Sequence, residues 1–371
     1  MKKKLLVVFG TRPELIKLYP IIDLLKASNN GFDFFTINTN QHDMMVDELL
    51  ELFHINPDIR MSTMTHNQSP IDVTYRIIRR MQSVFDVLEP DIVMVQGDTT
   101  TAFSAAYSAF HNKIPIAHVE AGLRSFDMND PFPEEANRVM IDRLSDYLFA
   151  PTKEAMANLA REDLHGRIHM TGNTVVDSVL KVSRMREETE KEAGVDYHFD
   201  IVVTAHRRES FGEPLRNICK ALRLVSESYP HLSIGFFVHP NPNVRDMIEE
   251  CFGYPGVRQS FGNIHFLKPA RYVDFVGYLD RCMFIMTDSG GIQEEACALG
   301  KNVIVMRNKT ERPEALSAGY ARLSGTNTVA AISDLAFQFI EGDVPMPPEK
   351  NPYGDGHASE RIIEALSRYF L

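Results

Sequence analysis

The chain begins by alternating short, almost wholly apolar runs with longer segments whose apolar positions recur at helical spacing. The runs are "KLLVVF" (4–9), "FDFFTINT" (32–39), "DIVMVQ" (91–96), "IPIAHV" (114–119), "YLFA" (147–150) and "RIHMTG" (167–172). Runs without polar alternation predict strands buried on both faces. Between them, "ELIKLYPIIDLLKAS" (14–28) predicts a helix that Pro20 must kink, and the Ala-rich "TTAFSAAYSAFHN" predicts another. Strand–helix–strand repetition implies a parallel sheet covered on both sides.

The pattern then restarts. A helix with a charged, weakly apolar tail (172–200) is followed by strands "IVVTA" (201–205), "SIGFFV" (233–238), "IHFL" (264–267), "FIMT" (284–287) and "NVIVM" (302–306). The fold class expected is α/β, two Rossmann-like domains in series, and the natural ligand site is the cleft between them, outside the carboxyl ends of the strands. The domains expected are 1–172 with 357–371, and 173–356, because the amphipathic last helix (358–370) suits a return to the first domain.

Length and composition agree. The 371 residues suit about two domains. A hydrophobic fraction of 44% allows each a core, and a net charge of -11 argues against nucleic acid as the partner. "MKKKLLVVFGTRPE" imitates a signal peptide briefly, but Gly10, Arg12 and Glu14 cut the apolar run, so Lys2 to Lys4 read as the lead into a first strand. No run approaches the roughly 20 apolar residues of a membrane span. Cys219, Cys251, Cys282 and Cys297 lack CxxC spacing and read as thiols of a reducing cytoplasm. No HExxH or Cys/His cluster implies a metal.

The chemistry gathers at strand ends. In "VVFGTRPELIK", Gly10 permits a tight turn, and Thr11, Arg12 and Lys17 surround a helix N-terminus suited to phosphate. In "VQGDTTT", Asp98 reads either as the cap of the next helix or as an acid beside Glu120, which follows His118 at the end of the neighbouring strand. Two close carboxylates would raise one pKa. "VTAHRRESFG" places His206, Arg207 and Arg208 after a strand as an anion site. In "MTDSGGIQEEACALG", Ser289, Gly290 and Gly291 open a helix, and a glutamate one turn in can accept ribose hydroxyls. "TERPEA" adds Arg312.

Ten motifs occur in order from residue 10 to residue 356: "GTRPE", "GDTTT", "HVEAGLRS", "PFPEEANR", "TGNTVVD", "TAHRRESFG", "HPNP", "DSGGIQEE", "TERPEA" and "NPYGDG". Together they resemble the non-hydrolysing UDP-N-acetylglucosamine 2-epimerases over essentially the whole chain. The resemblance implies a glycosyltransferase-B-type architecture, a cytoplasmic homodimer and no cofactor or metal. The implied reaction interconverts UDP-GlcNAc and UDP-ManNAc for surface polysaccharide. Asp98, Glu120 and Glu134 fall on the family's catalytic carboxylates, and Arg138 and His206 on its essential cationic positions. Arg12, Lys17, Phe275, Ser289, Gly290, Gly291, Glu295 and Arg312 fall on UDP-binding positions. Gln41, Glu135, Arg207 and His239 match a second UDP-GlcNAc site used for activation, although Asp43-Met44 and Asn67 depart from that pattern. Ala270 departs near the uracil.

The C2–H of such a sugar has no adjacent carbonyl. The implied route therefore expels UDP from C1 while a carboxylate takes the C2 proton, leaving 2-acetamidoglucal, and UDP then re-adds. Asp98 and Glu134 are the leading acid/base candidates, with Glu120 polarising or orienting. Two alternatives stay open: a 2-epimerase for a modified UDP-HexNAc, such as a 3-acetamido derivative, and a UDP-sugar glycosyltransferase.

Overall fold

The computed structural model describes residues 2–27, 31–40, 43–61, 69–193, 198–253, 260–347 and 350–370. They divide into two compact units, Met1–Ser178 with Tyr353–Leu371, and Val179–Pro352.

The first unit runs β1 (Lys3–Phe9), α1 (Arg12–Ala27), β2 (Phe32–Asn38), α2 (Asp43–Leu52), β3 (Ile59–Arg60), α3 (Pro70–Leu88), β4 (Ile92–Gln96) and α4 (Thr100–His111). It continues through β5 (Ile116–Val119), α5 (Glu134–Leu144), β6 (Tyr147–Ala150), α6 (Lys153–Arg161) and β7 (Arg167–Met170), and α7 (Thr174–Ala193) leads out of it. Its sheet is parallel, in the order β3-β2-β1-β4-β5-β6-β7. Leu5 to Phe9 and Ile92 to Val95 are fully buried, as continuous apolar strands under helices must be.

Pro20 lies inside α1, which runs unbroken from Arg12 to Ala27. Proline cannot donate to the carbonyl four residues back, that of Ile16, and the Ser178 hydroxyl donates to that carbonyl instead. At the start of the chain Lys3 pairs with Asp91 at 2.9 Å, so this lead-in is tied to the entry of β4.

The second unit runs β8 (Ile201–Ala205), α8 (Glu213–Ser228), β9 (Ile234–Val238), α9 (Pro242–Phe252), β10 (Ser260–Phe261), β11 (Ile264–Leu267) and α10 (Tyr272–Arg281). Then come β12 (Phe284–Thr287), α11 (Gly290–Ala298), β13 (Asn302–Val305), α12 (Pro313–Ser317), β14 (Ala321–Leu323) and α13 (Val329–Glu341). The sheet order is β10-β11-β9-β8-β12-β13-β14, with only β10 antiparallel. The last helix, α14 (Ala358–Phe370), belongs to the first unit, where Asp177 accepts from the backbone N–H of Ser359 at 2.8 Å.

The architecture is α/β, two Rossmann-like units in tandem. β3, β10 and β14 were not expected. All three are edge strands of two or three residues, too short to carry a periodicity. No described helix is long and apolar enough to cross a membrane.

Candidate active site

Each sheet has one point where strand order reverses: between β1 and β4 in the first unit, and between β8 and β12 in the second. Loops leaving the carboxyl ends of such strands diverge and leave room for ligand. Arg12, Asp98, His206, Arg207, Ser289, Gly290 and Gly291 sit on or beside these loops, and Glu120 ends the neighbouring strand β5.

In the first unit, the turn after β4 is held from several sides. Gly97 has φ +67, a left-handed conformation open to glycine. Its carbonyl accepts from His118 Nε2 at 2.8 Å, and the other ring nitrogen of His118 faces the Asp142 carboxylate at 2.6 Å. Asp142 is fully buried and also pairs with Arg124 at 2.7 Å. Asn137 Nδ2 donates to the Asp98 carbonyl at 2.9 Å. The cap of α4 is Thr99, whose side chain accepts from the Ala102 N–H. The Asp98 carboxylate is therefore not spent on capping.

The three carboxylates differ in their partners. Asp98 accepts from Arg138 Nε at 2.9 Å and from Arg138 Nη2. Glu120 accepts from Lys17 Nζ at 2.6 and 2.7 Å, and from Gln96. The crowding expected of Asp98 with Glu120 thus takes another form, each carboxylate bonded to its own cation. Lys17, expected on UDP, is directed to Glu120. Glu134, at the first position of α5, is half-buried and makes no hydrogen bond or ion pair among the described residues.

Glu120 also has φ +70. A non-glycine residue there costs about 1 kcal/mol or more, and such outliers concentrate where a side chain must be presented in one direction.

Glu135, expected at an activator site, is buried. Its carboxylate accepts from the N–H groups of Ser125 and Phe126 at 3.0 Å each and from Arg138 at 3.1 Å. It fastens the loop after β5 to the arginine that holds Asp98. Gln41, expected beside it, lies outside the described residues.

The sequence reading missed Glu14. It is 0% exposed. Its Oε2 accepts from Gly10 N at 3.0 Å, Thr11 N at 2.7 Å and Thr11 Oγ1 at 2.7 Å, and its Oε1 accepts from Thr99 Oγ1 at 2.6 Å. Burial pushes this carboxyl up to about 7, and the bonds from Thr99, Thr11 and Gly10 restrain the rise. Arg12 lies partly buried on the turn so fastened.

In the second unit the reversal is spanned from its other side by Asp288, just after β12 and fully buried. It accepts from His206 N at 2.9 Å, Arg207 N at 2.9 Å and Ser210 Oγ at 2.9 Å. The loop after β8 is thereby clamped to the start of α11. His206 stacks on His239, with ring centroids 5.6 Å apart. Burial holds the His206 pKa below its usual value, Asp288 opposes that, and Arg207 adds to it. Burial likewise lowers His239, with a further push from His206.

Ser289 caps α11 without a side-chain cap bond. A Cβ on Gly290 would meet Arg207 Nη2 at 3.4 Å and Arg312 at 3.9 Å, so two guanidinium groups converge on this helix N-terminus, while Gly291 has open space. Arg312 is bonded to Glu294, and Arg207 pairs with Glu311 at 3.3 Å. Burial would raise Glu311, but Arg307, Arg207 and Arg312 outweigh it and hold the carboxyl at about 2. Glu295 accepts from the Tyr272 hydroxyl at 3.2 Å, and Phe275 meets Phe237 edge-on.

Two tandem Rossmann-like units, with two arginines at a helix N-terminus in one and Asp98 and Glu120 paired with cations at strand ends in the other, have the fold class of the glycosyltransferase-B type. The sequence profile of the UDP-N-acetylglucosamine 2-epimerases matches residues 25–367. The chain is 41% identical over 375 residues to the UDP-N-acetylglucosamine 2-epimerase of Escherichia coli K12, covering 98% of each. Its structure resembles the UDP-GlcNAc 2-epimerase of Neisseria meningitidis bound to UDP-GlcNAc, with TM-score 0.88 and 40% identity over 98% of this chain and 100% of that one. It also resembles S. aureus MnaA with UDP, with TM-score 0.86 and 38% identity over 99% and 96%. The chain belongs to the UDP-N-acetylglucosamine 2-epimerase family, a family of isomerases.

Proposed function

We propose that the protein interconverts UDP-GlcNAc and UDP-ManNAc by eliminating UDP to enzyme-bound 2-acetamidoglucal and re-adding it. The observation that carries this reading is the contrast among the three carboxylates. Glu134 has no partner among the described residues, while Asp98 and Glu120 are bonded to cations. A reaction that takes a proton from one face of C2 and returns one to the other needs at least one carboxyl group available to the sugar.

Glu134 and Asp98 are assigned as the acid/base pair. Asp98 is oriented by Arg138, and Glu120 acts as the polarising anion held by Lys17. Loss of UDP builds negative charge on the diphosphate. Arg12, Arg312, Ser289 and the N–H groups at Gly290 and Gly291 are assigned to that charge, each such bond contributing roughly 1.5–3 kcal/mol. Glu295 is assigned to the ribose and Phe275 to the nucleoside pocket. His206, neutral near pH 7 because burial lowers its pKa, is assigned to donate a hydrogen bond to the leaving diphosphate. Lys17 remains a second-choice UDP ligand, reached only by leaving Glu120.

Activation by a second UDP-GlcNAc would fall to Arg207 and His239 with Gln41, since Glu135 is engaged by its own loop. A homodimer working in the cytoplasm on polysaccharide precursors completes the proposal. One experiment tests it: an NMR time course with UDP-GlcNAc alone in D2O. UDP-ManNAc should appear with deuterium at C2. Isomerisation that retains the original C2 hydrogen would exclude elimination, and no isomerisation without an added acceptor would favour a glycosyltransferase. A saturation curve that stays hyperbolic would remove the activator site.

A further inference from the structure

We propose that Glu14 is a positioning residue for the epimerisation, tying the turn that carries Arg12 to the turn that carries Asp98. The inference rests on the roles given to those two residues above. Glu14 is 0% exposed and cannot touch the substrate. Its two oxygens serve different strands. Oε2 takes three donors from the turn after β1, and Oε1 takes the Thr99 hydroxyl after β4. The tie crosses the point where strand order reverses. Thr99 adjoins Asp98 and also caps α4, so a shift at Thr99 moves the acid and the helix together.

Four donors converge on Glu14, two backbone N–H groups and two hydroxyls, and none is charged. The charged groups on the surrounding elements are Arg12 and Lys17 on α1, Asp98 after β4, Glu120 after β5 and Arg138 on α5. None of these is bonded to Glu14. An ionised carboxylate accepts from all four donors at once, whereas a protonated one must itself donate to a hydroxyl, that of Thr99 or of Thr11. Thr99 can take that proton, because its oxygen already accepts from Ala102 N at 3.0 Å and can accept again. The two forms of Glu14 therefore hold the turns with opposite donor sense and unequal strength, and burial brings their interconversion to about pH 7.

Glu14→Gln reproduces the protonated form. The amide oxygen replaces Oε2 and the amide nitrogen donates to Thr99. In this variant kcat should fall roughly 10- to 100-fold, the loss expected when an acid is displaced by about 1 Å. The KM for UDP-GlcNAc and the Kd for UDP, by calorimetry, should stay within about threefold of wild type. The wild-type step in kcat near pH 7 should be absent. Thr99→Val, which cuts the tie from the other end and leaves the other three bonds of Glu14, should show the same split, and Thr99→Ser should recover most of kcat. A Glu14→Gln enzyme with kcat within about twofold of wild type and an unchanged pH step overturns the proposal. So does a Thr99→Val enzyme of normal kcat. A wild type that does not exchange deuterium into C2 overturns the epimerase reading and this one with it. Wild-type exchange beside an unaffected variant overturns only the role of Glu14.

Discussion

Lys17 offers the sharpest test of how the first unit is built. Its ammonium lies 2.6 and 2.7 Å from the two oxygens of Glu120, and the side chains are only 10% and 5% exposed. Replacing Lys17 by Met keeps the length of the stem but leaves a buried carboxylate without its cation. Breaking a buried pair from one side costs about 3–5 kcal/mol, because the remaining charge loses its compensation. In a unit of about 200 residues each kcal/mol is worth roughly 2–4 °C, so the melting temperature of this unit should fall by about 6–20 °C. Glu120→Gln in the same chain removes the stranded charge and should restore more than half of the loss. Differential scanning calorimetry of wild type, both single variants and the double variant closes the cycle, with an expected coupling of about 2 kcal/mol or more. The reasoning fails if Lys17→Met melts within about 2 °C of wild type while its Kd for UDP rises tenfold. That outcome would return Lys17 to the diphosphate, as the family resemblance implied.

The folded Glu14 carboxyl holds its proton up to about pH 7, against 4.5 unperturbed. It therefore contributes stability in acid that is lost as pH rises to 7, about 3 kcal/mol between pH 4 and pH 8 and nothing further above. Denaturant melts of Glu14→Gln across that range should lack this slope, and a slope equal to wild type would show that Glu14 is not its source. NMR titration of the His206 ring should give a midpoint below 6.5, and Asp288→Asn should lower it further, since the aspartate opposes the effect of burial. Gly122→Ala should cost about 3 kcal/mol or more: φ is +88, and the added methyl would collide with the Ala155 carbonyl oxygen on the α6 backbone. Gly300→Ala, at φ +67 with nothing within 4 Å, should cost only about 1 kcal/mol, and chemical denaturation of the pair separates strain from collision.

Two kinds of information in the sequence proved unequal. Continuous apolar runs such as "KLLVVF" announce central parallel strands, because a strand covered on both faces has no polar alternation to lose. Edge strands of two residues announce nothing. Side chains at strand ends are legible as types but not as partners. Lys17 and Glu120 are 103 residues apart, and no local pattern says that one neutralises the other. Glu14 resembles any acid in the first turn of a helix, where a carboxylate ordinarily faces solvent and the helix dipole. Asp142 was not singled out. Its signal was present: Arg138, Ile141, Asp142 and Ser145 follow core spacing, and all four are buried. Charged residues on the inward stripe of a helix must find partners in the interior, and here they find Asp98 and His118.

The two units solve one problem in the same way. Each sheet diverges between two parallel strands, and each must keep the turns above that divergence in register without filling the space between them. An apolar plug would occupy the ligand's place, and backbone pairing ends where the strands do. A buried carboxylate on one turn can accept donors from the other and span the gap with few atoms. Glu14 reaches from the start of α1 to Thr99, and Asp288 reaches from the end of β12 to His206, Arg207 and Ser210. Neither depends on a charged donor, so both take hydrogen bonds in place of an ion pair and leave the arginines and lysines of these turns for other duties. The arrangement has a chemical consequence. The groups proposed to act on the sugar and on the diphosphate that lie on these turns, Asp98 and Arg12 in the first unit and His206 in the second, each adjoin a locked residue or are one. Glu14 and Asp288, both fully buried, hold these turns from beneath.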